Sequence, residues 1–188
     1  YYLYDALTIQ EAYHRLYQTF SKRVDIFYSL KANPNIAIAA ELRMLGANAE
    51  VCSHYEIDAA LLAGFQPKQM IMVGPAKTAA DIEKCLVVGI DAIICESINE
   101  LNLISDIARS KHLTARVALR INPSHVAKTA LLKMGGQPSQ FGLDEEIILA
   151  EEHYLLTRPH IEIIGIHVYN GTRILDADTI SANTAYVL

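Results

Sequence analysis

A lysine stands where an apolar segment of this 188-residue chain ends. In IFYSLKANPN, residues 26–35, the residues before Lys31 are mainly apolar or aromatic and typical of a buried strand, and Asn33-Pro34 cannot continue a strand. Position alone leaves two interpretations open. The ammonium group of Lys31 either reaches solvent at the strand end, or it belongs to a partly desolvated lysine that condenses with an aldehyde to form a Schiff base.

Two other motifs contain residue types that could do chemistry, but neither has the pattern that such a site needs. Cys52 beside His54 suggests a thiol nucleophile, but we interpret Cys52 as a small buried cysteine. The sequence GPAKT, residues 74–78, looks like a phosphate loop, yet Ala76 replaces the glycine required before Lys-Thr and no glycine lies at the required upstream spacing. We therefore reject a nucleotide-binding loop there.

The elements that must position Lys31 alternate regularly along the chain. Apolar runs rich in strand-forming residues predict six strands, at 24–30, 47–52, 70–73, 92–95, 115–121 and 161–169. Helical patterns lie at 35–45, 54–63, 79–88, 99–109 and 145–156, the last with Asp144 as its expected N-cap. This alternation favours an α/β fold with a parallel sheet.

The spacing of the strand ends limits the α/β folds that are possible. Lys31, Ser53, Gly74, Glu96 and Arg120 are 22, 21, 22 and 24 residues apart, and His167 follows 47 residues later, after an extra loop at 121–144. A short, steady period predicts a (β/α)₈ TIM-like barrel, whose active site forms at the carboxyl ends of its strands. Only about six of eight strands are visible, so the barrel is expected to be incomplete, and a doubly wound sheet is the alternative.

Composition excludes several classes of partner. With 52% hydrophobic and 20% charged residues and a net charge of −5, the chain is typical of globular proteins, and neither a nucleic-acid nor a membrane partner is expected. Three cysteines without CxxC spacing predict neither a disulfide framework nor a metal site, and a cytoplasmic location is the default. Because the chain lacks an initiator Met and stops without a polar tail, we expect residues 1–188 to be part of a longer protein.

The segment around Lys31 resembles the pyridoxal-phosphate lysine motif of the fold-type III amino-acid decarboxylases. This family includes diaminopimelate, ornithine and arginine decarboxylases and relatives in siderophore and antibiotic pathways. Further segments resemble family motifs in the right order: YLYD (2–5), GANAEVCSHYEIDAAL (46–61), GPAK (74–77), CESINEL (95–101), RINP (120–123), QFGLD (140–144) and GIHVYNGT (165–172). The resemblance implies a barrel of the alanine racemase/decarboxylase type.

Site residues follow from the resemblance where the motifs match. Lys31 is implied to hold pyridoxal 5'-phosphate through a Schiff base, with Glu50 near that bond and Arg120 beside the cofactor and this acidic group. Gly171 and Thr172 are implied to approach the cofactor phosphate, since glycine followed by a small hydroxyl residue suits an anion. Each has a structural alternative: an ion pair for Glu50, a strand end for Arg120 and a helix cap for Thr172.

One position departs from the family pattern. Tyr169 stands where many relatives have the histidine that stacks on the cofactor ring; a tyrosine keeps an aromatic face but loses the imidazole, while His167 supplies an imidazole nearby. This departure favours a divergent branch, with a diaminopimelate- or ornithine-like or a carrier-linked amino-acid substrate. The resemblance also implies a C-terminal β-domain outside this sequence, and a homodimer.

The expected activity is amino-acid decarboxylation, with two alternatives left open. A pyridoxal-phosphate racemase on the same barrel would abstract the Cα proton instead of releasing carbon dioxide. A cofactor-binding or regulatory homologue would keep the barrel without catalysis.

Overall fold

A computed structural model describes residues 1–20, 24–123, 132–133, 141–169, 171–172 and 174–188. Its strands are β1 (Phe27–Ser29), β2 (Asn48–Val51), β3 (Met70–Met72), β4 (Ala92–Cys95), β5 (Ala115–Asn122), β6 (Leu132–Lys133), β7 (Leu143–Asp144), β8 (Ile161–Val168) and β9 (Gly171–Thr172). Its helices are α1 (Ala6–Phe20), α2 (Ile36–Met44), α3 (His54–Leu62), α4 (Ala79–Val88), α5 (Ile98–Ser110), α6 (Glu145–Ala150), α7 (Glu152–Leu156) and α8 (Ala177–Val187).

The chain divides into two compact units. The first comprises Tyr1–Val73 and Ala80–Ala92, and the second comprises Gly74–Ala79 and Ile93–Leu188. In the first unit, β1, β2 and β3 form parallel pairs, with Ser29 opposite Glu50 and Glu50 opposite Ile71. The strands are parallel because a helix connects each strand to the next and returns the chain to the end of the sheet at which the previous strand began.

The second unit is centred on β5, which pairs in parallel with β4, β7 and β8. In the β5–β8 pair, Arg120 lies opposite His167. A short antiparallel ribbon joins β6 to β9. Strand β4 is buried along its whole length, which explains why its sequence, AIIC, is apolar without alternation.

The helices α2, α3 and α5, which follow β1, β2 and β4 along the chain, each begin with a side-chain cap. The side chains of Asn35, Ser53 and Ser97 accept hydrogen bonds from backbone N–H groups in the first turns of α2, α3 and α5. These caps end the preceding extended segments sharply. The side chains that follow β1, β2 and β4 are therefore fixed at strand carboxyl ends.

The six strands and five helical regions predicted from the sequence are confirmed, with differences at their ends. Arg120 lies inside β5 rather than at its end, and the last helical region is interrupted at Glu151 into α6 and α7. Asp144 does occupy the N-cap position of α6, but its carboxylate accepts a hydrogen bond from Asn122 Nδ2 (2.8 Å) instead of capping the helix. Helices α1 and α8 and the short strands β6, β7 and β9 were not predicted.

Most of the predicted extra loop, residues 124–131 and 134–140, lies outside the described residues. Among the residues that are described, no helix combines the length and apolar character that a membrane crossing requires.

Candidate active site

The first candidate cluster contains Lys31, Glu50 and Ser29 and lies in the first unit. Lys31 Nζ is 3.3 Å from Glu50 Oε1, and the same oxygen accepts a hydrogen bond from Ser29 Oγ (2.7 Å). The parallel register sets Ser29 opposite Glu50, so strand pairing itself brings the three residues together. The side chain of Lys31 is 62% exposed, against 22% for Glu50. The amine is thus held beside a carboxylate and open to a ligand.

The turn after Lys31 is fixed by local hydrogen bonds. Ala32 N–H donates to Ser29 O (3.1 Å), and the Tyr28 hydroxyl donates to Asn33 O (2.8 Å). Asn35 then caps α2 through its side chain. The sequence KANPN therefore ends β1, presents Lys31 and starts the next helix within five residues.

The second candidate cluster, in the second unit, contains Arg120, Glu96, Phe141 and Tyr169. Arg120 Nη1 is 3.0 Å from both carboxylate oxygens of Glu96, and the two side chains are only 10% and 4% exposed. The guanidinium carbon lies 4.8 Å from the centroid of the Phe141 ring and 5.9 Å from that of Tyr169, within the range of cation–π attraction.

The remaining predicted site residues follow Arg120 across β8 and β9. His167 is the strand partner of Arg120, and Tyr169, two residues later, is 42% exposed. Gly171 pairs with Lys133 in the β6–β9 ribbon. The side chain of Thr172 lies outside the described residues, so its predicted contact with a phosphate stays a prediction.

Lys77 lies in the second unit and its ammonium group is fully engaged. It donates to Gly74 O (2.6 Å), to Ile94 O (2.6 Å) and to Glu100 Oε1 (2.9 Å), and its side chain is 1% exposed. All three donors of the amine are used within the protein. This agrees with the rejection of GPAKT as a phosphate loop.

Cys95, at the end of β4, is a buried thiol next to the carboxylate of Glu100. Burial, assisted by the negative charge of Glu100, raises the pKa of the Cys95 thiol to about 12. It is therefore a protonated thiol that donates to Ser97 O, and it does not act as a nucleophile at neutral pH. No disulfide joins Cys52, Cys85 and Cys95, all three of which the structure describes.

Glu96 was not identified from the sequence as a functional residue. It was noted as a strand end and as part of the motif CESINEL (95–101), with no role given to it. In the structure, Glu96 binds Arg120, whereas Glu50 binds Lys31 and Ser29. The sequence does place an acidic residue directly after the apolar strand β4, and this could have marked Glu96 as a candidate. Its position in the sequence does not show which basic side chain it pairs with.

A known protein family matches nearly the whole chain. Residues 7–187 match a family model described as the pyridoxal binding domain of pyridoxal-dependent decarboxylases. Over all 188 residues, the chain is 38% identical to L-glutamyl-[BtrI acyl-carrier protein] decarboxylase of Niallia circulans and covers 44% of it. It is 34% identical over 183 residues to diaminopimelate decarboxylase of Helicobacter pylori, where 96% of this chain covers 45% of the relative. The chain thus spans less than half the length of these curated relatives.

Solved structures give the same result. The crystal structure of Helicobacter pylori diaminopimelate decarboxylase (I148L mutant) with L-lysine matches 100% of this chain and 48% of that protein, with a TM-score of 0.91 and 33% identity. The enzyme from M. jannaschii with L-lysine matches 97% of this chain and 44% of that protein, with a TM-score of 0.87 and 30% identity. The predicted α/β barrel fold, incomplete in this chain, is confirmed.

Proposed function

Because this chain belongs to the family of pyridoxal-dependent decarboxylases, we propose that it forms the cofactor-binding part of an enzyme that removes a carboxylate from an amino acid as carbon dioxide. The observation that carries the proposal is the exposed Lys31 amine, held 3.3 Å from Glu50 where the parallel strand β1 ends. Such a primary amine is the group that an aldehyde cofactor requires.

The residues present fit pyridoxal 5'-phosphate. Lys31 offers a reactive amine, Tyr169 offers a partly exposed aromatic ring, and Gly171 has no side chain to obstruct an approaching phosphate. When bound, the cofactor supplies an electron sink for the electron pair that remains on the substrate carbon as carbon dioxide leaves.

The protein's own residues would bind and orient the cofactor. Lys31 would hold it covalently, and Glu50, which accepts a hydrogen bond from Ser29, would keep the lysine nitrogen in one position. Tyr169 would offer its ring to the cofactor; the Arg120 guanidinium carbon lies 5.9 Å from the centroid of that ring, and His167 is the strand partner of Arg120. Gly171 and Thr172 are assigned to the phosphate.

We propose an amino acid, free or attached to a carrier protein, as the substrate class. The two curated relatives support both forms, since one is named for a glutamyl group on an acyl-carrier protein and the other for diaminopimelate. Tyr169 in place of the family histidine supports a substrate that differs from that of the best-known enzymes.

The proposal is tested by carbon dioxide release from the full-length protein loaded with pyridoxal 5'-phosphate. The substrates are meso-diaminopimelate, ornithine and a glutamyl thioester of an acyl-carrier protein. We expect release from at least one of them and its loss in Lys31→Ala. Lys84→Ala removes a lysine amine from an exposed ion pair with Asp58 and serves as the matched control. Exchange of the Cα proton without carbon dioxide release would contradict the proposal and indicate a racemase.

We also propose that the full-length protein adds a C-terminal β-domain to this barrel segment, residues 1–188, and works as a cytoplasmic homodimer. The lengths of the relatives support the additional domain, because this chain covers 44–45% of them. Light scattering of the full-length protein is expected to give twice the mass of one chain; a monomeric mass would contradict the dimer.

A further inference from the structure

We propose that Glu96 is a positioning residue that fixes the guanidinium group of Arg120 against the ring of Tyr169. The inference rests on the proposed function insofar as Tyr169 is taken to face the cofactor. The contacts themselves lie within the second unit.

The Glu96–Arg120 pair is buried and bound through both oxygens of the carboxylate. Each oxygen is 3.0 Å from Arg120 Nη1, and the side chains are 4% and 10% exposed. Removing one partner of such a pair leaves an uncompensated buried charge, so the two side chains must stay together. The position of Glu96 therefore sets the position of the guanidinium group.

Glu96 is itself held in place by a second buried pair. Its backbone N–H donates to Glu100 Oε2 (2.6 Å), while Glu100 Oε1 accepts from Lys77 Nζ (2.9 Å). Lys77 also donates to two backbone carbonyls, Gly74 O and Ile94 O. A continuous series of hydrogen bonds thus runs from the buried lysine to the backbone of Glu96.

Arg120 is enclosed on its other sides as well. Phe141 lies 4.8 Å from the guanidinium carbon, and a Cβ atom added to Gly142 would come within 2.9 Å of Arg120 O and 3.1 Å of Arg120 Cγ. Its remaining aromatic contact is the Tyr169 ring at 5.9 Å. A guanidinium group with so little freedom provides a fixed surface for that ring.

This arrangement gives a physical role to the tyrosine at position 169. A cation–π contact orients the ring of Tyr169, and the carboxylate of Glu96 balances the charge of Arg120. The ring is then held without adding net positive charge to the site. Tyr169 is 42% exposed, which leaves part of its ring accessible to a flat ligand.

The test combines cofactor binding with a cofactor-free coupling measurement on the full-length protein. The variants are Glu96→Gln, Arg120→Gln, the corresponding double variant and Glu162→Gln. Glu162→Gln is the control because it makes the same charge change beside Arg116, an arginine on β5 like Arg120. The Glu162 carboxylate is 3.8 Å from Arg116 Nε and is largely exposed. Equilibrium dialysis gives the Kd for pyridoxal 5'-phosphate, and absorbance gives the pH midpoint of the bound cofactor.

We expect Glu96→Gln to raise the Kd by about tenfold and to shift the pH midpoint of the bound cofactor. Arg120→Gln should change both quantities to the same extent. The double variant should have the same Kd and pH midpoint as the single variants. Glu162→Gln should match the wild-type protein. If Glu96→Gln and Glu162→Gln give equal Kd values, Glu96 does not position Arg120. Should Glu96→Gln fail to fold, an unchanged Kd in Arg120→Gln overturns the inference equally.

The coupling measurement needs no cofactor. In urea unfolding of the apoprotein, Glu96→Gln and Tyr169→Ala should be non-additive, by about threefold in the unfolding constant, because Arg120 contacts both residues. Glu162→Gln and Tyr169→Ala should be additive. Additivity in both pairs would overturn the positioning role. If the variants show this coupling but the wild-type protein binds no pyridoxal 5'-phosphate, the proposed function is contradicted and the positioning role of Glu96 is not.

Discussion

Two lysines of this chain illustrate how position decides whether an amine can react. Lys31 is 62% exposed beside one carboxylate, whereas Lys77 is 1% exposed and donates three hydrogen bonds. Both follow short strands and both have a carboxylate partner. Of these two lysines, Lys31 has the amine that a ligand can approach. The three hydrogen-bond donors of the Lys77 ammonium group are all used in contacts with neighbouring residues.

The buried lysine gives a stability prediction. Lys77→Met should lower the free energy of unfolding by about 3–5 kcal/mol, since it leaves the Glu100 carboxylate buried without its partner. Lys84→Met, which breaks an exposed pair with Asp58, should cost less than about 1 kcal/mol. Urea unfolding of both variants measures the difference. Equal costs would show that Lys77 and Glu100 do not form a buried pair.

Cys95 gives a pH prediction. Burial raises its pKa from 9.0 to about 12, so above pH 9 the unfolded thiol ionises while the folded thiol stays protonated. The stability contributed by this group is complete below pH 9 and is lost as the pH rises from 9 toward 12. Between pH 9 and 11, wild-type stability should fall more steeply than that of Cys95→Ala, by up to about 1.4 kcal/mol per pH unit. Parallel profiles from urea unfolding would contradict the shifted pKa.

The residue types at the site were more predictable than their pairing. Lys31 could be proposed as the cofactor lysine from its place at a strand end and from the resemblance of the segment around it to a family motif, because both depend on local sequence. The Glu96–Arg120 pair could not, because it joins two strands through side chains whose contact depends on tertiary packing. The same reason explains why Asp144 binds Asn122 rather than capping its own helix.

At the scale of elements, parallel strands followed by capped helices determine where the candidate residues lie. The alternation of apolar strands and helical patterns was sufficient to predict β1–β5, β8 and α2–α5. Helix α1 carried a signal that was not used: Asp5 accepts hydrogen bonds from the backbone and side chain of Thr8, as an N-cap does, before a helical sequence. The strands β6, β7 and β9 are each two residues long, too short for a period to be seen.

A glycine between two elements gives a second stability prediction. Gly142 and Gly89 have nearly the same backbone angle, with φ of +80° and +77°, but only Gly142 lies against Arg120. Gly89→Ala should cost about 1–2 kcal/mol from backbone strain alone. Gly142→Ala should cost about 2–4 kcal/mol, because the new Cβ also meets Arg120. Chemical denaturation separates the two; equal costs would mean that Arg120 moves aside without penalty.

At the scale of the whole molecule, the chain has the fold of the pyridoxal-dependent decarboxylases over nearly its entire length, with residues 7–187 matching the family. It also spans less than half of its curated relatives. The sequence therefore determines the cofactor-binding part better than the substrate. The two relatives differ in substrate while sharing this segment with the chain, so substrate choice must be measured on the full-length protein.

The proposed decarboxylation depends above all on a Schiff base between Lys31 and pyridoxal 5'-phosphate. The most direct measurement is borohydride reduction of the full-length protein purified with this cofactor, followed by digestion and mass spectrometry of the peptides. We expect a pyridoxyl group on Lys31, with Lys77 unmodified because it is buried and fully hydrogen-bonded. A folded protein in which Lys31 remains unmodified would contradict the proposed role of this lysine.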